Sequence, residues 1–205
     1  YSSLSGGKIN EIPYRKNLDF PLEELFEKIS GKTKLILMAN PNNPTGNSIS
    51  NESIERILKK AEDAVLLVDE AYCRFAGKSA IDLIAKYDNL VIARTFSKDY
   101  GLAGMRIGYL ASNSETIKAI RKAASPYGVN SIAIIAAEAA LEDEEFADTC
   151  VAQIMENKKW IEKELGELGI TVFPTTTNFV LADFGEKAND VAKKLSEKNI
   201  LVRSM

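Results

Sequence analysis

"LVIARTFSKDYGLAGMRIGYLA", Leu90 to Ala111, decides how the rest of the chain is read. Leu90–Ala93 is a short apolar run and reads as a buried strand; Met105–Ala111 reads as a second. Between them lies a polar, glycine-bearing loop centred on Lys98. Gly, Asn or Pro suffices to turn a chain. Thr95, Ser97 and Lys98, with Arg106 eight residues on, are more than turning requires, so the loop is expected to do chemistry.

Upstream, two more apolar runs end in polar residues. Lys34–Ala39 (KLILMA) reads as a strand buried on both faces. It stops at Asn40-Pro41-Asn42-Asn43-Pro44-Thr45-Gly46, where two prolines forbid helix and central strand. Ala64–Val68 (AVLLV) is another strand, ending at Asp69-Glu70-Ala71-Tyr72. Helical patterns separate them. Pro21 opens one whose Leu22, Leu25, Phe26 and Ile29 share a stripe. A second starts near Asn51, with Ile54, Ile57, Leu58 and Ala61 on one face, and Ile81–Tyr87 is a short third. Lys8–Tyr14 alternates weakly, as a strand would. Strands alternating with helices predict an α/β fold with a mostly parallel sheet. Right-handed crossovers then bring the loops carrying Asn43, Asp69, Tyr72 and Lys98 to one edge. Ligands of such sheets bind beyond the carboxyl ends of the strands.

Downstream the pattern changes. Ser114–Ser125 and Ser131–Leu141 read as helices. Glu144–Leu168 reads as a long amphipathic helix with Val151, Ile154, Ile161, Leu165 and Leu168 on a stripe, stopped by Gly169. Ile170–Phe173, Asn178–Ala182 and Ile200–Val202 read as strands, with a helix over about Lys187–Lys198. The expected division is residues 1–143 as a large α/β domain, and 144–205 as a connecting helix with a small α+β domain.

Composition narrows the function. Apolar residues make up 45% of the 205 and charged residues 27%, an ordinary globular balance. Net charge is −3 without a basic block, so no nucleic-acid partner is expected. No apolar run reaches the ~20 residues of a membrane span, so no membrane partner is expected either. There is no histidine, which excludes Ser-His-Asp and Cys-His schemes and His-ligated metals. No metal site is expected. Cys73 and Cys150 lack metal-ligand spacing and read as reduced, packed thiols; with no export signal, the cytoplasm is the default compartment.

Lys98 can form an imine with an aldehyde if its amine is freed, and a nearby arginine such as Arg106 favours that. Asp69, at the end of an apolar strand, wants a cationic partner such as a protonated pyridine nitrogen. Asn43 and Tyr72 can hold a ring hydroxyl. Thr95, Ser97 and Arg106 suit a phosphate. Aldehyde, pyridinium, ring hydroxyl and phosphate together describe pyridoxal 5′-phosphate. No G-x-G-x-x-G follows a strand, which disfavours a dinucleotide-binding oxidoreductase.

The stretches "NPNNPTG" (Asn40–Gly46), "VDEAY" (Val68–Tyr72) and "RTFSKDYGLAGMRIGY" (Arg94–Tyr109) resemble the fold-type-I pyridoxal-phosphate-dependent aminotransferases, and among them the histidinol-phosphate aminotransferases. "TNFVL" (Thr177–Leu181) and "ILVRS" (Ile200–Ser204) match more weakly. The resemblance implies an aspartate aminotransferase-like fold, with Lys98 as covalent anchor and proton carrier. It implies Asp69 at the ring nitrogen, Asn43 and Tyr72 at the ring hydroxyl, and Ser97, Arg106 and Thr95 at the phosphate. Gly101 and Gly104 would give the loop its tight path, and the strand after Arg106 would run antiparallel. The implied reaction is transamination of histidinol phosphate, an amino-alcohol phosphate, with 2-oxoglutarate and glutamate, in a homodimer. A threonine-phosphate-type decarboxylase and an aromatic or broad-range aminotransferase share these motifs. The family also has an upstream strand–loop–helix unit and a substrate-gripping arginine further on. Both domains are therefore expected to be incomplete here, the chain a fragment that binds the cofactor poorly, and an inactive fragment is a further reading. Arg74 stands where relatives often carry an acid, and neither it nor Arg203 receives a role.

Overall fold

The computed structural model describes residues 6–15 and 17–204. The three apolar runs form adjacent parallel strands, β1 (Leu35–Ala39), β2 (Val65–Asp69) and β3 (Leu90–Thr95). A fourth strand, β4 (Gly108–Ala111), joins β3 antiparallel and completes the order β1-β2-β3-β4. It is shorter than the periodicity suggests. Arg106 adopts a left-handed backbone (φ 54°) after a 3₁₀ turn over Ala103–Met105, so pairing starts only at Gly108.

Strand alternation sorts side chains to two faces. Ile36, Leu66, Val68, Leu90 and Ile92 point into a core with α1 (Leu22–Lys28), α2 (Asn51–Lys60) and the 3₁₀ turn Ile81–Ala85. Helix α2 starts where the Ser50 hydroxyl accepts the Ser53 amide, satisfying one free N–H of the first turn. Its Ile54, Ile57 and Leu58 recur at helical spacing and are completely enclosed, each contributing about 1.5–3 kcal/mol. Asn89 secures the return to β3, its amide donating to the carbonyls of Leu58, Ala61 and Ala64.

The other face is different. Leu35 and Leu37 remain 48% and 60% exposed, against the expectation of a strand buried on both sides. The helices named above cover one face only, and no other described element shields these two leucines. Lys8–Tyr14 also differs from its reading, as no strand forms there. Its alternation instead lets Ile12 pack on the helix-side core while Ile9 stays exposed.

Three further helices complete this part. These are α3 (Cys73–Ala76) and, further on, α4 (Ser114–Arg121) and α5 (Ser131–Glu142), the last two begun by Asn113 and Asn130 side chains. The 24-residue α6 (Glu144–Glu167) starts at the Asp143 cap, and Gly169 takes the left-handed conformation past its end. Of its expected stripe, Ile161 and Leu168 are exposed. A two-stranded antiparallel sheet, β5 (Thr171–Phe173) and β6 (Leu181–Asp183), and helix α7 (Ala188–Ser196) complete the chain. Asn178–Val180 precede β6 rather than belonging to it, and Ile200–Val202 are unpaired instead of forming a strand. Among the described residues no helix is long and apolar enough to cross a membrane.

Candidate active site

The parallel register places Ala39 beside Asp69, and Asp69 beside Ala93. Ladder bonds carry on past the strand ends, from the Asn40 amide to the Asp69 carbonyl and from the Glu70 amide to the Ala93 carbonyl. The three loops therefore leave one edge together. There the Asn43 amide donates to the Tyr72 hydroxyl at 2.9 Å. The Lys98 ammonium lies 5.4 Å from the Tyr72 ring centroid, within cation–π range. Phe179 meets the same ring edge-on, 5.5 Å between centroids. Tyr72 is the buried hub on which Asn43 and Lys98 converge.

The other expected residues are placed less tightly. Asp69 is exposed, not buried, because it shares the uncovered sheet face with Leu35 and Leu37; its carboxylate accepts the Ala71 amide at 3.0 Å. The Thr95 hydroxyl is committed to loop shape, accepting from the Ser97 amide and donating to the Ile107 carbonyl. Ser97 is half-buried beside it. The Arg106 guanidinium donates to the Ala103 carbonyl at 3.1 Å. Gly101 supplies a left-handed turn (φ 68°), whereas Gly104 sits in the 3₁₀ turn without one. Among the described residues no side-chain hydrogen bond or ion pair ties Asp69, Ser97 or Arg106 to the Asn43–Tyr72–Lys98 group. What places them together is the shared sheet edge.

Charge gives the edge its character. Among the described residues, Asp69, Lys98 and Arg106 form no ion pair. A carboxylate, a lysine amine and a guanidinium, none of them in an ion pair among the described residues, match a ligand bearing a cationic ring nitrogen, an amine-reactive carbonyl and a phosphate.

Three features escaped the sequence reading. Glu70, only 2% exposed, accepts from Arg94, Ser79 and the Ala80 amide. Its signal was available, since a strand's next residue faces the opposite side from Asp69. Around it lies a cleft of about 430 Å³ lined by Cys73, Arg74, Arg94, Asp99 and Tyr100. Burial pushes the Cys73 thiol up to about 11, and burial likewise raises the Asp99 carboxyl against the pull of Arg74. Its central charges are already paired, Glu70 with Arg94 and Arg74 with Asp148 and Glu144, so the chemistry is assigned to the edge.

The last feature is the seat of the C-terminal unit. The Thr176 amide and hydroxyl both donate to the Gly46 carbonyl, at 2.8 and 3.0 Å. Gly46 has φ 73°, and a Cβ there would lie 2.3 Å from the Thr175 Cβ. Lys158 of α6, almost fully buried, donates to the Thr175 carbonyl and pairs with Glu162. The loop carrying Asn43 is thus clasped from the C-terminal side, a contact that no local pattern announces.

The family of class I and II aminotransferases matches residues 1–205. The chain is 42% identical over 194 residues to histidinol-phosphate aminotransferase 1 of Carboxydothermus hydrogenoformans, covering 94% of this chain and 55% of that protein. It is 41% identical to the histidinol-phosphate aminotransferase of Caldanaerobacter subterraneus, covering 100% of this chain and 58% of that one. The crystal structure of histidinol-phosphate aminotransferase from Sinorhizobium meliloti in complex with pyridoxal-5′-phosphate superimposes with a TM-score of 0.85 at 32% identity, over 98% of this chain and 57% of that one. The chain therefore spans little more than half the length of these relatives.

Proposed function

The chain belongs to the class I and II aminotransferases, and we propose that the whole protein carrying it transfers the amino group of histidinol phosphate to 2-oxoglutarate, using pyridoxal 5′-phosphate. The observation that carries this reading is the convergence of Asn43, Tyr72 and Lys98 at the sheet edge, beside Asp69 and Arg106, which form no ion pair among the described residues. The names of the relatives support the substrate.

Bound there, pyridoxal phosphate supplies an amine-reactive aldehyde and an electron-accepting ring. The rest falls to the chain's own side chains. Lys98 would anchor the cofactor through its amine and would also carry a proton to and from the substrate's reacting carbon. Asp69 would pair with the ring nitrogen and favour its protonated form, and that positive charge keeps the ring electron-poor. Asn43 and Tyr72 hold the ring hydroxyl and so fix the ring's orientation. Ser97 and Arg106 bind the phosphate, while Thr95 keeps the loop in shape by its two backbone bonds. Residues 1–143 form the cofactor-binding domain, and 144–205 the unit that closes on the Asn43 loop. The working form is a cytoplasmic homodimer.

The test is turnover by the whole protein. With histidinol phosphate and 2-oxoglutarate supplied together, formation of glutamate and of the ketone left by histidinol phosphate is expected. Carbon dioxide release from threonine phosphate, with no turnover of histidinol phosphate, would replace the reading with a decarboxylase.

A further inference from the structure

Arg74 received no role from the sequence, yet it makes more charged contacts than any other residue of the cleft. It stands on α3, two residues after Tyr72. Its Nε and Nη2 donate to Asp148 at 3.0 and 2.8 Å, a two-nitrogen grip on one carboxylate oxygen. Nη2 also reaches the carboxylate and the carbonyl of Glu144, each at 3.3 Å. Asp99 lies 4.0 Å from Nη1. The guanidinium carbon sits 5.0 Å from the Tyr100 ring centroid, and the Tyr100 hydroxyl donates to Glu144 at 3.0 Å. Phe96 backs the same ring at 5.0 Å. Asp99 and Tyr100 are the two residues that follow Lys98.

We propose that Arg74 is a positioning residue for Lys98, fastening Asp99 and Tyr100 to Glu144 and Asp148 at the start of α6. One side chain then joins the strand end bearing Asp69 and Tyr72, the lysine loop and the long helix. A planar, always-charged guanidinium suits the task, because it grips a carboxylate with two nitrogens while stacking on an aromatic face. The loop's own backbone bonds, from the Leu102 amide to the Phe96 carbonyl at 2.9 Å and from the Gly101 amide to the Lys98 carbonyl at 3.4 Å, close the turn but do not tie it to α6. The Asp148 and Glu144 side chains are 69% and 57% exposed, so their pairs with Arg74 contribute little to global stability. The effect of the clamp is local, on where the lysine is carried.

The inference rests on Lys98 being the cofactor anchor, and the experiment separates the two. Arg74→Met, Arg74→Lys and Tyr100→Phe are made in the whole protein. Two quantities are read, amide exchange over Ser97–Gly101 without cofactor, and the rate of covalent capture of pyridoxal phosphate at Lys98, followed by absorbance and peptide mapping. In R74M, exchange should quicken about tenfold in that loop and capture should slow about tenfold. R74K should fall between, since it keeps the charge and loses the fork. Y100F should shift both readouts the same way by less. Parent capture at Lys98 with unchanged exchange and capture in R74M overturns the positioning role alone. Uniform quickening of exchange throughout R74M, with Y100F silent, overturns it too, by making Arg74 a general structural residue. Failure of the parent to capture cofactor at Lys98 sinks the anchor reading and this inference with it.

Discussion

Asp69 and Glu70 are neighbours in sequence and opposites in structure. Glu70 points to the helix side of the sheet, is buried, and is matched by Arg94, Ser79 and a backbone amide. Asp69 points to the other side, is exposed, and accepts one amide. The same contrast separates Arg94, paired with Glu70 at 3.0 Å, from Arg106, which pairs with no carboxylate among the described residues. Matched charges hold a fold together; unmatched charges at a strand edge are free to meet a ligand. A buried charge without a partner costs several kcal/mol, so Glu70 and Arg94 are interdependent. Asp69 and Arg106 carry no such constraint.

The sharpest way to break this division is to alter one member of each class. Lys98→Ala should lower turnover of the whole protein by about 10⁴-fold while the melting curve stays in place; a mild loss would remove the lysine from the chemistry. Glu70→Ala should destabilise by about 3–5 kcal/mol, read by urea unfolding, because it strands the Arg94 guanidinium. Asp69→Asn should do the reverse, moving stability by less than about 0.5 kcal/mol yet weakening cofactor binding in a spectroscopic titration. Equal stability losses at both carboxylates would erase the distinction.

A subtler probe addresses the clasp on the Asn43 loop. Gly46→Ala sets a Cβ against Thr175 in a left-handed backbone, and should cost more than about 1 kcal/mol in the same unfolding assay. The smallest effect concerns Cys73. With its thiol held up to about 11 by burial, it stays protonated at pH 8 and should alkylate slowly in the folded chain, becoming reactive on unfolding. Rapid folded-state alkylation would mean that the cleft is looser than the ion pairs suggest.

Much of this was legible in the residues. Continuous apolar runs separated by helical stripes identified β1, β2 and β3, since burial imposes its period directly on sequence. The polar residues that end those runs marked the edge where Asn43, Tyr72 and Lys98 meet. Lengths and coverage were less legible. Arg106 and its left-handed backbone cut β4 short, a choice made by the loop rather than by hydropathy. Leu35 and Leu37 read as core because apolarity records what a residue favours, not which described neighbours cover it. Long-range contacts were illegible altogether. The seats of Phe179 on Tyr72, of Thr176 on Gly46 and of Arg74 on Asp148 join segments between 74 and 130 residues apart.

The central claim is that Lys98 is the covalent anchor at this edge. The most direct measurement adds pyridoxal phosphate to the protein, reduces with borohydride and maps the modified lysine by mass spectrometry. The account predicts label concentrated on Lys98 and lost in Lys98→Arg. Label spread over surface lysines such as Lys59 and Lys163, with Lys98 untouched in the whole protein, would contradict it.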